Sequence, residues 1–229
     1  MPDFQHLLLF IAAGWLLNLT PGPDVLYIVT NSLRSGARAG VVAGLGITAG
    51  CFVHIFAAAL GVSALLATSA TAFTVLKYIG AAYLLWMGLR ILLAKGPQAA
   101  PDFIAAAAAG KPRSLKAIFR GGFLTNVLNP KVAIFFLAFV PQFIAPDADN
   151  KALAFVLLGL LFNLNAIPVN SGWALAAAWM ARRLSAAAPG AAQTHNVRRG
   201  GLFLWLDRAA GLMFIGFGLR LALSDNPSK

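Results

Sequence analysis

Six stretches of this chain, near 5–30, 40–66, 73–93, 118–140, 152–180 and 201–223, run apolar for the roughly 20 residues that a helix needs to cross about 30 Å of hydrocarbon. Nothing constrains the fold more. Inside a bilayer every backbone N–H and C=O must find its partner within the protein, and a run of helical length satisfies that by itself. Only 11% of the residues are charged, against about 25% in a soluble domain. The expected fold is therefore all-α, a polytopic membrane protein of six transmembrane helices forming a single membrane domain over residues 1–229.

Charge orients the spans. Residues 31–39 carry Arg34 and Arg38, residues 94–117 carry Lys95, Lys111, Arg113 and Lys116, and residues 181–200 carry Arg182, Arg183, Arg198 and Arg199. The opposite connections and ends hold only Lys151 and Lys229 beside Asp3, Asp147, Asp149 and Asp225. Basic loops stay in the cytoplasm, so both termini are expected outside. This also accounts for the net charge of +11, because the basic residues sit between apolar runs and not along one nucleic-acid-binding face. The first run has Asp3 before it and no basic stretch, which reads as a retained span and not a cleaved leader.

Two of the six runs are broken. The stretch GWLLNLTPGPDVLY, from Gly14 to Tyr27, holds Pro21, Gly22, Pro23 and Asp24 in its middle. Proline removes a backbone donor and clashes with the preceding turn, so a helix must stop or kink there. GFLTNVLNPKVAIFF, from Gly122 to Phe136, repeats the design with Pro130 and a cation, Lys131. Gly14 and Asn18 are spaced like Gly122 and Asn126, and each pair is followed by a proline. Further on, Gly88-Leu89-Arg90 matches Gly218-Leu219-Arg220 at an offset of 130. With three spans per half the second copy must enter the membrane upside down. The expectation is an inverted 3+3 repeat, with residues 1–93 as one half, 94–117 as a cytoplasmic linker and 118–229 as the other half, and with helices 1 and 4 broken by proline. Interrupted segments at corresponding positions of two halves point to a transporter's binding site.

The motifs Asn18-Leu-Thr-Pro-Gly-Pro-Asp24, Lys77-Tyr-Ile-Gly-Ala-Ala-Tyr-Leu-Leu-Trp-Met-Gly88 and Gly122-Phe-Leu-Thr-Asn-Val-Leu-Asn-Pro-Lys131, with the glycine-rich second span and Pro141-Gln142-Phe143, stand in this order. In them the chain resembles the lysine exporter (LysE) and homoserine/threonine exporter (RhtB) family of bacterial amino-acid efflux proteins, over nearly its whole length. The resemblance implies export of an amino acid from the cytoplasm across the bacterial inner membrane, driven by the proton gradient, with no cofactor. It does not name the substrate.

The residues themselves suggest roles. A charge near the bilayer middle costs about 2.5–3.5 kcal/mol on insertion scales, so Asp24 needs a partner, a cavity or a proton. It is expected either to carry the coupling proton, to meet a substrate ammonium, or to complement the N-terminal dipole of the second half-helix. Asn129 reads as an N-cap and Pro130 as a first helical residue, which puts Lys131 at the unfavourable end of a helix for a cation. Lys131 and the free amides at the break are expected to receive the substrate carboxylate, or else Lys131 forms a structural ion pair or snorkels. Asn18, Asn126 and Asn129 either bond backbone freed by the prolines or line the path. In span five, Asn163, Asn165 and Asn170 flank Pro168 and face the same choice. His54 is either a proton relay or a neutral imidazole bonded to a carbonyl. Lys77 is expected to snorkel or to pair locally, with a gating role as the alternative. Trp15, Tyr27, Phe135 and Trp173 are the aromatic residues nearest the breaks, and so candidates for shaping a pocket.

The expected partners are a small amino acid, membrane lipid and, through the GxxxG spacings of Gly40, Gly44, Gly46 and Gly50, a second copy of the chain or a tightly packed helix of the same chain. The few intramembrane acids favour a neutral amino acid. The alternative is an exporter of metal or other small ions on a related scaffold. Only Asp24, Cys51, His54 and Asp207 are available to it, at no ligand spacing. A thiol shuttle needs two cysteines and the chain has one. No GxSxG or HExxH motif suggests an enzyme.

Overall fold

Proline and glycine decide where the first helices end. In the computed structural model, which describes residues 4–68, 70–93, 113–145, 148–187 and 201–223, α1 (Phe4–Leu19) stops just before Pro21, and α2 (Pro23–Ser35) starts on a proline. Gly36, at φ 81°, turns the chain directly into α3 (Ala37–Thr68). α4 (Ala70–Leu93) follows, then α5 (Leu115–Val127), whose first turn is capped by Ser114. The second break separates α5 from α6 (Pro130–Ile134). The long α7 (Lys151–Ala187) and α8 (Gly201–Leu223) complete an all-helical fold.

Past α6 the chain does not keep α-helical winding. Phe135–Phe139 winds as a π-helix and Val140–Phe143 as a 3-10 turn. Pro141 has no N–H to return to the carbonyl four residues back, and its ring crowds that turn. The wider turn ahead of it relieves the crowding, and Gln142 Nε2 donates to the Ala138 carbonyl at 3.0 Å.

Ala37–Gly61 and Lys151–Arg183 are each long and apolar enough to cross a bilayer, and α5 with Pro130–Phe143, bent by 48° at its break, reaches that length only when the pair is taken as one span. α4 and α8 are 24 and 23 residues long and lie against one another. The first apolar run is divided between α1 and α2, of 16 and 13 residues. Residues 31–39 are not an open loop but two helix ends joined at Gly36, and Arg182 and Arg183 lie within α7. Most of the 94–117 linker, the loop beyond Ala187 and both termini lie outside the described residues.

Between helices in lipid there is little hydrophobic drive, so association depends on close contact. A Cβ on Gly122 of α5 would come within 2.5 Å of the Ala43 carbonyl oxygen of α3, and one on Gly50 of α3 within 2.5 Å of the Phe123 carbonyl oxygen. Only glycine fits at that crossing. The α4–α8 crossing is built alike, with Gly88 set against the Gly211 carbonyl. Gly40 and Gly44 abut Ser32, Ala174 and Asn170 of α2 and α7. The glycines of the second span are thus engaged within the chain.

Two apolar cores result. The larger gathers phenylalanines from α1, the π-helical segment, α7 and α8. The smaller joins Ile28, Ala39, Ala43, Ile47, Ile118 and Ala174. Lys77 is buried in α4, with its Nζ 4.9 Å from the Tyr78 ring centroid.

Candidate functional site

Both helix breaks open onto one cavity. Its lining includes Asn18, Thr20, Gly22, Asp24, Thr48, Asn126, Asn129, Lys131, Asn163 and Asn170 on the polar side, with Leu17, Val25, Ile47, Cys51, Val132, Phe162 and Ala166 supplying an apolar wall. The cavity volume is about 20 Å³, room for roughly one water molecule. An amino acid enters only if the surrounding helices part.

Asp24 lies in the first turn of α2, beside Pro23. An acid there faces the positive end of the helix dipole. Its Oδ2 accepts a hydrogen bond of 2.9 Å from Asn126 Nδ2 at the end of α5. The two breaks are thereby joined across 102 residues of sequence.

Lys131 resolves the problem its position posed. It lies in the first turn of α6, where a cation is unwelcome, but its Nζ reaches back to donate to the carbonyls of Leu17 at 2.7 Å and Thr20 at 2.9 Å. Those carbonyls belong to the end of α1, which has run out of amide donors because the helix stops. The ammonium is thus at the wrong end of its own helix and at the right end of another.

The second break is capped locally. Asn129 Oδ1 accepts from the Lys131 amide at 3.0 Å, with Pro130 as the first helical residue. His54 of α3 places Nε2 2.9 Å from the Asn126 carbonyl oxygen. A carbonyl only accepts, so Nε2 carries the proton in that contact.

Helical phase sorts the remaining asparagines. Asn163, Ala166 and Asn170 are spaced three and four apart and share the face of α7 that lines the cavity. Asn163 Nδ2 donates to the Thr48 carbonyl of α3 at 3.3 Å. Asn165 falls on another face and does not line the cavity. Pro168 lies exposed within α7, and Pro21, Pro23 and Pro130 act through the backbone, outside the lining. Trp15, Tyr27, Phe135 and Trp173 also lie outside it. Instead the chamber takes one aromatic side chain, Phe162, along with Thr20, Thr48 and Cys51. The signal for the α3 contribution was present in the spacing of Gly44, Ile47, Thr48 and Cys51 along one helical face.

The polar atoms are not all used. Among the residues that line the cavity, Asn18 Nδ2, Asp24 Oδ1, Asn126 Oδ1 and Asn163 Oδ1 are buried with no hydrogen-bond partner in the protein. A carboxylate and a carbonyl accept only, which fixes the bonded atoms of Asn126 and Asn163 as nitrogens and leaves their oxygens as acceptors. Buried polar atoms left unbonded cost about 1–3 kcal/mol each. The chamber therefore offers unused acceptors, an unused donor and an ammonium in one small space. No group of three His, Cys, Asp or Glu able to hold a metal ion occurs among the described residues.

Comparison with known proteins adds to this geometry. The family model for LysE type translocators matches residues 15–225. An uncharacterized membrane protein of Vibrio cholerae serotype O1 is 32% identical over 96% of this chain and 98% of its own length. The uncharacterized membrane protein YrhP of Bacillus subtilis is 32% identical over 69% of this chain and 76% of its own. A leucine efflux protein of Salmonella typhimurium is 28% identical, covering 93% of this chain and 92% of that protein. No solved structure matches.

Proposed function

This chain belongs to the LysE type translocator family, a family of membrane transporters and not of enzymes, and from that premise we propose that it exports an amino acid with a neutral side chain from the cytoplasm. Export runs by alternating access between two mirrored three-helix halves of the inner membrane, with both termini outside, and is coupled to inward proton movement. The observation that carries this reading is the set of unsatisfied polar atoms around the chamber. An α-ammonium has three donors, and Asp24 Oδ1, Asn126 Oδ1 and Asn163 Oδ1 are acceptors lacking partners in the protein. An α-carboxylate needs donors, and Asn18 Nδ2 and the Lys131 ammonium line the same cavity.

The charges of Asp24 and Lys131 offset one another, so a zwitterion enters without adding net charge. A cationic side chain would bring a charge that no second acid in the lining matches. Leu17, Val25, Ile47, Val132 and Ala166 suit an aliphatic side chain, in keeping with the leucine efflux proteins among the relatives. In this reading the substrate carboxylate competes with the Leu17 and Thr20 carbonyls for Lys131, while Asp24 takes either the ammonium or, once the substrate has left, the proton. One proton moving down about 180 mV releases about 4 kcal/mol, enough for roughly a thousandfold gradient of a zwitterion.

Inverted membrane vesicles containing the protein test the proposal. Labelled neutral amino acids should accumulate when the vesicles are energised, and an uncoupler should abolish accumulation. Accumulation that survives the uncoupler would remove proton coupling, and no accumulation of any amino acid would remove the export reading.

A further inference from the structure

Phe162 occupies a place that the transport chemistry above does not explain. It precedes Asn163 on α7, lines the chamber, and is the aromatic member of that lining. The side chain is 3% exposed. Behind it stand two aromatic rings of the π-helical segment, Phe135 at 4.8 Å and Phe136 at 5.5 Å between centroids. To the side lies Gly14 of α1, where a Cβ would come within 3.2 Å of Phe162 Cδ2. The ring thus has helix backbone on one flank and packed aromatics at its back. Close-packed interiors do not yield cheaply, so a ligand side chain that reaches this ring stops there.

We infer that Phe162 is the specificity-determining residue of the chamber, setting the largest side chain the transporter accepts, with Gly14 determining how far the ring sits from the chamber. This rests on the amino-acid export reading. Asn163, which supplies one of the acceptors assigned to the substrate ammonium, lines the same small cavity as Phe162, so a bound amino acid held there has its side chain within reach of the ring. The remaining apolar lining is aliphatic or small (Leu17, Val25, Ile47, Val132, Ala166) and yields more readily than a ring backed by two others. An aromatic residue packed on aromatics is ordinarily just core. Phe162 differs because it also lines the polar chamber.

The test is a selectivity profile. Initial rate over KM is measured in inverted vesicles for alanine, valine, leucine, phenylalanine and tryptophan, with wild type and with Phe162→Leu, Phe162→Ala and Gly14→Ala, each normalised to protein in the membrane. Removing ring volume should raise the ratio of large to small substrates by about 10–100-fold, the scale set by one or a few methylenes in an apolar pocket. Gly14→Ala presses on the ring from the α1 side and should shift that ratio by more than twofold. The changes should fall mainly in KM. Phe162→Leu, the milder cut, keeps the test valid if Phe162→Ala does not reach the membrane. A wild type that exports amino acids while both ring variants and Gly14→Ala keep its ratios within twofold would overturn the inference and leave the export reading standing. A wild type that moves no amino acid would overturn both.

Discussion

The two helix breaks solve the same problem by different means. At the second, between α5 and α6, Asn129 caps the new helix with its own side chain, and the Asn126 carbonyl is met by the Asn129 amide at 2.9 Å and by His54. At the first, between α1 and α2, the N-cap is Gly22, which has no side chain to offer, and the carbonyls of Leu17 and Thr20 are bonded by Lys131 from across the chamber. One break is held by its own segment and a neighbour. The other depends on a cation belonging to its counterpart. On the proposed reading the first break is the one a ligand would loosen, because drawing Lys131 away takes that partner from the Leu17 and Thr20 carbonyls, while the Leu16 carbonyl keeps the Thr20 amide and hydroxyl.

The largest effect should come from Lys131→Met, which removes the cation from both tasks at once. Hydrogen bonds to charged groups are worth about 1.5–3 kcal/mol each, so losing two should lower thermal stability in detergent measurably and cut export by roughly 100-fold or more. Full export at normal protein levels would remove Lys131 from the mechanism. Unchanged stability would show that the first break is as self-sufficient as the second.

Asp24→Asn comes next and separates charge from shape. The amide fills the same space beside Asn126, and the first turn of α2 loses only a dipole contribution of about 0.3–1 kcal/mol. Stability should hardly move. Export should fall by roughly 10–100-fold, since a charge-assisted bond to the substrate ammonium or the coupling proton is lost. If export survives while stability collapses, Asp24 serves the helix end and not the cargo.

How much of this was legible beforehand follows from the range of each interaction. The breaks, the Asn129 cap and the Pro130 start were readable because proline and capping chemistry act within one turn. The bond from Asn126 to Asp24 and the reach of Lys131 to α1 were not, since each spans more than 100 residues of sequence. Asn165 was grouped with Asn163 and Asn170 by nearness along the chain, but the 3.6-residue period turns it off their face. Phe162 gave no signal because an aromatic residue inside an apolar run is indistinguishable from core until the chamber beside it is known. Trp15, 43% exposed, was suggested by its nearness to the break alone.

Asn129→Ala sharpens the comparison from the other side. Loss of an N-cap costs about 1 kcal/mol, and the second break has no distant cation to take over. A modest fall in melting temperature with export reduced only a few-fold is expected. A loss as large as that from Lys131→Met would mean the two breaks are equally dependent and would erase the contrast between them.

The smallest effect is assigned to His54. Its Nε2 supports a carbonyl that the Asn129 amide already serves, so His54→Gln, which keeps a donor on a side chain of similar reach, should cost less than the roughly 0.5–1.5 kcal/mol of an ordinary hydrogen bond. Its effect on export rate should be about twofold. The informative readout is the pH profile. If the imidazole only steadies the end of α5, the profile of His54→Gln will keep the wild-type shape and differ in height alone. If instead the imidazole passes protons to the chamber, glutamine cannot replace it, and the variant will lose coupling while retaining uncoupled, downhill movement of substrate. That second outcome would turn the locally held break into a proton entry point, feeding Asp24 of the first break through Asn126.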